Sequence, residues 1–534
     1  MSYQTLLDSL NQTLQSKQAR PDQVPNNAGG YGFAIDKWQQ LSRFLTLGTT
    51  AGSYYVGPSD LTKLNLDAVK ACIAEDGARV VKMARDMSVA NRIIKNDTAI
   101  LVLALAISLG DKATKRAVRG AIGDVCRTGT HILNFAGYCN KLRHWGRSLR
   151  GTIAEWYNDQ CKTASDLPIE KGIDGLAYQM VKYQSRDGWS HKDLIRLSHV
   201  GSNNVLLAAL YDWALHGAKP EKTYPTIVNA FEKAKTASPA EIADMVAHQS
   251  LSREMIPTDK LNQPLVAKAL ALTMPPGALL RNLGNLGKAG LLEPGSEICN
   301  RVIDVFHNKE ALKKARLHPI AILIALKTYA SGQGVRGSNS WPVTPQVVDA
   351  LNDAFYLAFE SVEPLKKRIH LSVDVSGSMG ADVVGTPGFS AREAAVAMAL
   401  VTANTEPYYS STTFATQSFE WTISPRQRLD DVLRNIPGNG GTDVSVPIHY
   451  LKDNKRVVDA IVIYTDGETY SGVQHPYQAM EDYRRAFNPK AKLIIVAAVP
   501  NSTTVAVPDD PLSLTICGFD VMVPEVIRAF LAES

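Results

Sequence analysis

Residues 371–380 read LSVDVSGSMG, an apolar, partly β-branched run that ends in one aspartate and two serines. A short apolar run bounded by Gly and Ser reads as a strand that turns at its polar end. Asp374, Ser376 and Ser378 therefore fall on a turn just past a strand, offering one carboxylate and two hydroxyls. Oxygen donors of this kind suit a hard divalent cation, Mg²⁺ first, with Mn²⁺ or Ca²⁺ as alternatives. Two later segments add to the set: GNGGTD (438–443) carries Thr442, and IVIYTDGE (461–468) carries Asp466 behind another apolar run. Asp-x-Ser-x-Ser alone would be weak, because Ser and Asp also favour turns and helix caps. Five positions in agreement make the metal reading the stronger one.

Around this turn the chain alternates strand and helix. RIHLSVDV, PYYSSTTFA, AIVIYTDG and KLIIVAAVP are short apolar, β-branched or aromatic runs. Between and after them lie helical stretches at SAREAAVAMALVTA, DDVLRNI, VSVPIHYLKD and HPYQAMEDYRRAF. Such alternation predicts a mostly parallel, doubly wound sheet, whose ligands sit at the carboxyl ends of strands. Both the DVSGSM and TDGE turns fall at such ends.

Upstream the period changes. From about residue 35 to about 355, segments such as LDAVKACIAEDGARVVKMARDM, NDTAILVLALAISLG and PQVVDALNDAFYLAFE repeat apolar residues at helical spacing. Short Gly, Pro, Asn and Asp breaks separate them. Helices of roughly 12–18 residues joined by short turns stack as antiparallel pairs into an α-solenoid. No clean sequence repeat is present, so a degenerate HEAT-like array rests on helix number and spacing. The expected organisation is a polar arm over 1–30, mobile or extended, a helical region over 31–362, and the α/β domain over 363–534.

A chain of 534 residues exceeds a single core. Its six cysteines are scattered without a C-x-x-C pair, which argues against a disulfide framework or zinc site and for a reduced, cytoplasmic protein. The amino-terminal residues lack the basic start and apolar stretch of a secretory leader. The longest apolar run, Ala99 to Ile107, is too short for a bilayer and reads as a buried helix. No membrane association is expected.

The net charge of +5 is modest, but residues 112–200 hold 15 Lys and Arg against 8 Asp and Glu, so the basic character is local. Lys112, Lys115, Arg116 and Arg119 follow helical spacing behind Asp111, a fitting N-cap. HWGRSLRGTIAEWY (144–157) brings His144, Arg147 and Arg150 beside Trp145, Trp156 and Tyr157. Lys182 and Arg186 precede a helix that opens at Ser190 with Asp193 as its capping-box partner. That helix carries His191, Lys192, Arg196 and His199, with Leu194 and Leu197 expected to face inward. A solvated face is the ordinary meaning of a charge run. Cations interleaved with aromatics, Trp189 included, instead suit a polyanion whose bases can stack, which favours RNA. At least one of the three tryptophans is expected in the core.

The DVSGSM, GNGGTD and TDGE segments together resemble the metal-ion-dependent adhesion site of a von Willebrand factor A domain. RFLTLGTTAGSYY (43–55), HWGRSLRGTIAEWY, SRDGWSHKDLIRLSH (185–199), REMIPT (253–258), RNLGNL (281–286) and ARLHPIAILIALKTYASGQGVRG (315–337) resemble the TROVE-domain family, the Ro autoantigens and their bacterial counterparts. That resemblance implies a mainly α fold, a HEAT-like solenoid closed into a ring by the A domain. It implies RNA quality control: Y-type RNA on the outside of the ring and single-stranded 3′ ends of misfolded noncoding RNAs in its hole. It also implies a 3′→5′ exoribonuclease as partner. The outer RNA surface carried over is Arg147, Arg150, Lys182, Arg186, His191, Lys192, Arg196 and His199, while the Lys112–Arg119 stripe is open to either the hole or the outer face. A ring within one chain makes a monomer the simplest state.

A protein-interaction scaffold, capturing clients through the A-domain cation, is the competing reading. An enzyme is the weakest, because no P-loop or nucleophile elbow is present and the Asp/Ser/Thr set lacks the second ion or acid–base partner of a nuclease. No catalytic residue is assigned.

Overall fold

The computed structural model describes residues 12–47, 58–90, 92–93, 96–142, 145–161, 169–249, 251–261, 263–317, 319–334, 339–358, 364, 366–382, 389–498, 503–508, 510–518 and 523–532. His144 and parts of the RFLTLGTTAGSYY and ARLHPIAILIALKTYASGQGVRG segments lie outside them.

The amino-terminal half is helical, and its helices stack in two layers. In one layer Pro58–Val89 packs on Lys112–Val125, which packs on Arg147–Gln160, which packs on His191–Ser198. In the other, Asp97–Leu109 packs on Gly129–Leu142. Asp97–Leu109 is apolar nearly all round because it is covered by both layers, and Ala99–Ile107 is buried apart from a partly exposed Leu101. Pro58–Val89 is broken at Asp76 (φ −152°, ψ 85°), whose carboxylate caps a second helix by accepting from Arg79 N at 2.9 Å. The EDG in KACIAEDGARV is therefore a stop and a restart, where the apolar pattern alone reads one continuous helix.

The carboxy-terminal part holds a six-stranded sheet. Its strands are β5 (Ile369–Asp374), β6 (Tyr409–Phe414), β7 (Ser418–Glu420), β8 (Ala460–Thr465), β9 (Lys492–Ala497) and β11 (Ser513–Cys517). They lie in the order β11-β9-β8-β5-β6-β7. All pairings are parallel except β6 with β7. Strands β5, β8 and β9 are buried at every position, as expected where helices cover both faces. Helix Ala391–Thr405 opens with a Ser390/Glu393 capping box and lies against β5 and β8. The runs read from the sequence all appear as the expected strands and helices; β7, β11, the short strand Thr503–Thr504 and the helix Val523–Ala532 are additions.

The A domain touches both ends of the helical array. At one end the Lys37–Leu47 helix packs on β11, and Arg43 Nη1 donates to Thr503 O at 3.1 Å. At the other, Lys327 pairs with Glu393 and Arg428 with Asp349. The sheet domain thus bridges the first and last helices, which closes the array on itself.

The amino-terminal segment is not a free arm over its described length. β1 (Gln23–Pro25) and β2 (Tyr31–Ala34) form a hairpin, and β2 pairs with β10 (Thr503–Thr504) of the A domain. All six cysteines are free and buried. Among the described residues no helix is long and apolar enough to cross a membrane.

Candidate functional site

Adjacent parallel strands end on the same edge of a sheet, and this brings the two aspartates together. Val373 of β5 is in register with Tyr464 of β8, so Asp374 closes one strand where Asp466 leaves the other. Ser376 N donates to Asp374 Oδ1 at 2.9 Å, and Thr465 Oγ1 donates to Asp374 Oδ2 at 2.7 Å. The Ser376 and Ser378 hydroxyls are 3.1 Å apart, and Ser378 also hydrogen-bonds Asp466. Arg392 Nη2 donates to Val375 O at 2.8 Å and Ser376 O at 3.2 Å, fixing the turn from the following helix.

Thr442 arrives on the glycine-rich loop. Gly438 has φ +106°, and a Cβ there would lie 2.6 Å from the Phe419 ring and 2.8 Å from Val375, so the loop can cross here only with glycine. Gly377 N donates to Gly440 O at 3.2 Å, joining this loop to the first turn. All five residues predicted from sequence as ligands are buried at one sheet edge. Thr465 and Arg392, which orient them, carry no local sequence signal.

Burial is costly for these groups. Asp374 is fully buried, and desolvation followed by the Asp466 charge pushes its carboxyl up to about 7. Burial raises Asp466 as well. The Thr442 hydroxyl is buried with no hydrogen-bond partner. Two desolvated carboxylates, two serine hydroxyls and an unpaired threonine oxygen fit a hard divalent cation, which would offset the repulsion and use the orphaned oxygen. Among the described residues no group of three His, Cys, Asp or Glu is placed to hold a metal, so a cation here depends on the hydroxyls. Asp374, Ser376, Ser378, Thr442 and Asp466 are the residues that would hold it.

Most of the basic residues come from three neighbouring helices of one layer. Lys112, Arg116 and Arg119 are exposed and Lys115 half-buried on Lys112–Val125, behind Asp111, which accepts from Thr114 N at 2.8 Å. Arg119 pairs with Glu155 and lies beside Gly151, so the stripe runs onto the helix that also exposes Arg147 and Arg150. Lys192 and Arg196 are exposed on the next helix, His191–Ser198, whose capping box forms as expected, and His199 is its exposed left-handed C-cap. Arg186 stands on a hairpin of β3 (Ser185–Arg186) and β4 (Trp189–Ser190), turned by Asp187 and Gly188 at positive φ.

One assignment needs correction. His191 does not face solvent: it is 4% exposed, its Nδ1 lies 2.6 Å from the Tyr157 hydroxyl, and burial lowers its pKa to about 4. It is a neutral core histidine at pH 7, and it cannot contact phosphate. Trp156 and Tyr157 are likewise buried, and Trp156 Nε1 donates to Cys126 O. Trp145 and Trp189 remain part-exposed and pack on each other with centroids 5.3 Å apart, beside the basic helices. Lys182 is half-buried over the rings of Tyr178 and Tyr183; burial works against its charge, but these tyrosines and Glu254 outweigh it and hold its pKa raised. Trp156→Ala is expected to cost about 3–5 kcal/mol in chemical denaturation, as for a buried tryptophan, whereas part-exposed Trp189→Ala should cost clearly less.

A stacked helical array bridged end to end by a parallel-sheet domain, with oxygen donors gathered at the strand ends, defines a helical ring joined to an A domain. Residues 24–241 and 221–328 match the TROVE domain model, and residues 368–531 match the Ro60 vWA domain model. The chain is 36% identical to the RNA-binding protein RO60 of Deinococcus radiodurans over 98% of both chains. It is 30% identical to the RNA-binding protein RO60 of Caenorhabditis elegans, over 97% of this chain and 91% of that one. The crystal structure of the Deinococcus radiodurans RO (RSR) protein matches with a TM-score of 0.68 and 34% identity, covering 93% of this chain and 99% of the other. The chain belongs to the Ro60 family of TROVE-domain proteins.

Proposed function

We propose that this protein binds noncoding RNA in two ways, holding a structured Y-type RNA on the basic layer and a single-stranded 3′ end in the ring opening. The observation that carries this reading is the placement of exposed cations on three stacked helices, with the Trp145–Trp189 pair beside them. Phosphates would meet the Lys and Arg side chains, and an unpaired base could stack on the part-exposed edge of the indole pair. The stripe at Lys112–Arg119 belongs with Arg147, Arg150, Lys192 and Arg196 on the same layer, so we assign it to the structured-RNA surface.

A ring admits a single strand and excludes a duplex by width, so a flexible 3′ tail would be selected without reading its sequence. The protein would act in RNA quality control beside a 3′→5′ exoribonuclease, as a cytoplasmic monomer with no catalytic residues of its own. A divalent cation, Mg²⁺ first, would sit on Asp374, Ser376, Ser378, Thr442 and Asp466 and supply a positive centre for an acidic group. The relatives named RNA-binding proteins support the RNA reading.

Competition tests it. Saturating the protein with a stable Y-type hairpin RNA is expected to weaken binding of a 3′-tailed RNA at least tenfold, measured by fluorescence anisotropy with the tail labelled. A Y-type RNA lying over the basic layer would gate access to the ring opening, so additive binding of both RNAs at unchanged affinity would contradict this reading. A nuclease activity of the purified chain that disappears in Asp374→Ala would overturn the non-enzymatic reading.

A further inference from the structure

The amino-terminal segment is tied to the two loops that carry Thr442 and Asp466, through side chains that local sequence patterns do not single out. Gln15 is fully buried there, and every hydrogen-bonding position of its amide is used. Its Nε2 donates to Asp443 Oδ1 at 2.6 Å and to Gln474 O at 2.8 Å. Its Oε1 accepts from Thr469 Oγ1 and from Gly472 N at 3.3 Å. Gln15 N donates to Gly472 O at 3.0 Å. A Cβ at residue 472 would lie 2.2 Å from Gln15 Nε2, so the loop has glycine where the glutamine enters.

A second set of contacts lies beside Asp466. Asn27 N and Nδ2 donate to the two oxygens of Glu468 at 3.1 and 2.8 Å, and Asn26 Nδ2 donates to Thr469 O at 2.7 Å. The two loops also meet each other: Tyr470 N and Ser471 N donate to Thr442 O, each at 3.2 Å. Asp443 is the chain neighbour of Thr442, and Glu468 follows Asp466 by two residues. The loop ends that must face each other across a cation are thus held by one segment more than 400 residues away in the chain.

We propose that the segment from Gln15 to Gly30 is a clasp that sets the spacing of the Thr442 and Asp466 loops, making Gln15 and Asn27 positioning residues for cation affinity. The proposal rests on the cation reading of the site. Neither side chain reaches the ion; each holds a neighbour of a ligand. Outer partners of metal ligands commonly govern affinity by 10–100-fold. Cation affinity in the A domain is thereby coupled to the integrity of the amino-terminal segment.

The test uses the full chain, with Mn²⁺ and Mg²⁺ titrated by calorimetry into the parent, Gln15→Met and Asn27→Ala. Met keeps the volume of Gln and removes its hydrogen bonds, while Asn27 is exposed, so Asn27→Ala leaves packing intact. Each variant is expected to bind Mn²⁺ about tenfold more weakly, with faster amide exchange over 442–445 and 466–472, and Asn27→Ala should keep a chelator-state unfolding midpoint close to the parent. Parent-like affinity in a folded Asn27→Ala would overturn the clasp alone. Absence of saturable binding in the parent would overturn the cation reading and the clasp with it. If Gln15→Met fails to fold, Asn27→Ala decides.

Discussion

Replacing Arg147, Arg150, Lys192 and Arg196 together by alanine is expected to weaken binding of a structured RNA on the order of 10²-fold near physiological salt. The slope of log affinity against log salt should fall by about 3 to 4, since every side-chain cation withdrawn from a phosphate leaves nearly one counterion unreleased. All four side chains are exposed on stacked helices of one layer. Their removal should therefore change stability by no more than about 0.5 kcal/mol each. Arg119→Ala should do less than Arg147→Ala or Arg150→Ala, because its guanidinium is already paired with Glu155. A quadruple variant that kept the parent salt slope would place the RNA elsewhere on the molecule.

Asp374→Asn is expected to abolish saturable Mg²⁺ binding and, with chelator at pH 8, to raise the thermal unfolding midpoint. Burial and the Asp466 charge push the Asp374 carboxyl up to about 7 from an unfolded value near 3.8. A carboxylate whose folded pKa is raised destabilises the folded state as it ionises. The penalty begins above about pH 4 and is complete above about pH 7. It amounts to a few kcal/mol, at about 1.4 kcal/mol per pKa unit. Asparagine removes the charge while keeping an acceptor for Ser376 N and a donor toward Thr465, so the variant should gain most at pH 8, less at pH 5 and almost nothing below about pH 4. The parent midpoint should rise on adding Mg²⁺ and the variant midpoint should not. A variant stabilised by Mg²⁺ as strongly as the parent would remove Asp374 from the ligand set.

Much of this was legible in the chain because its signals are local. Strands buried on both faces are continuous apolar runs, so IHLSVD, AIVIYT and KLIIVA could be read directly, and the Asp374 and Asp466 turns followed from where those runs stop. SLTIC at β11 escaped because a short edge strand with polar positions carries little pattern. The docking of residues 12–34 escaped for a different reason. Gln15, Asn27 and β2 gain their order from partners on the far side of the sequence, and a polar segment without its partner reads as a free arm. His191 was misplaced although the helix held the answer. It falls in step with Leu194, Ile195 and Ser198, the buried face, while Lys192, Arg196 and His199 form the exposed one.

The central claim, an RNA-binding ring that selects single-stranded 3′ ends, is tested most directly by a salt-series binding assay on the purified chain. A structured RNA with a single-stranded 3′ tail would be compared with the same RNA blunt-ended. Tighter binding of the tailed RNA, falling steeply as salt rises, is the predicted result. Equal binding of the two RNAs at every salt concentration would contradict it and leave only a basic outer surface.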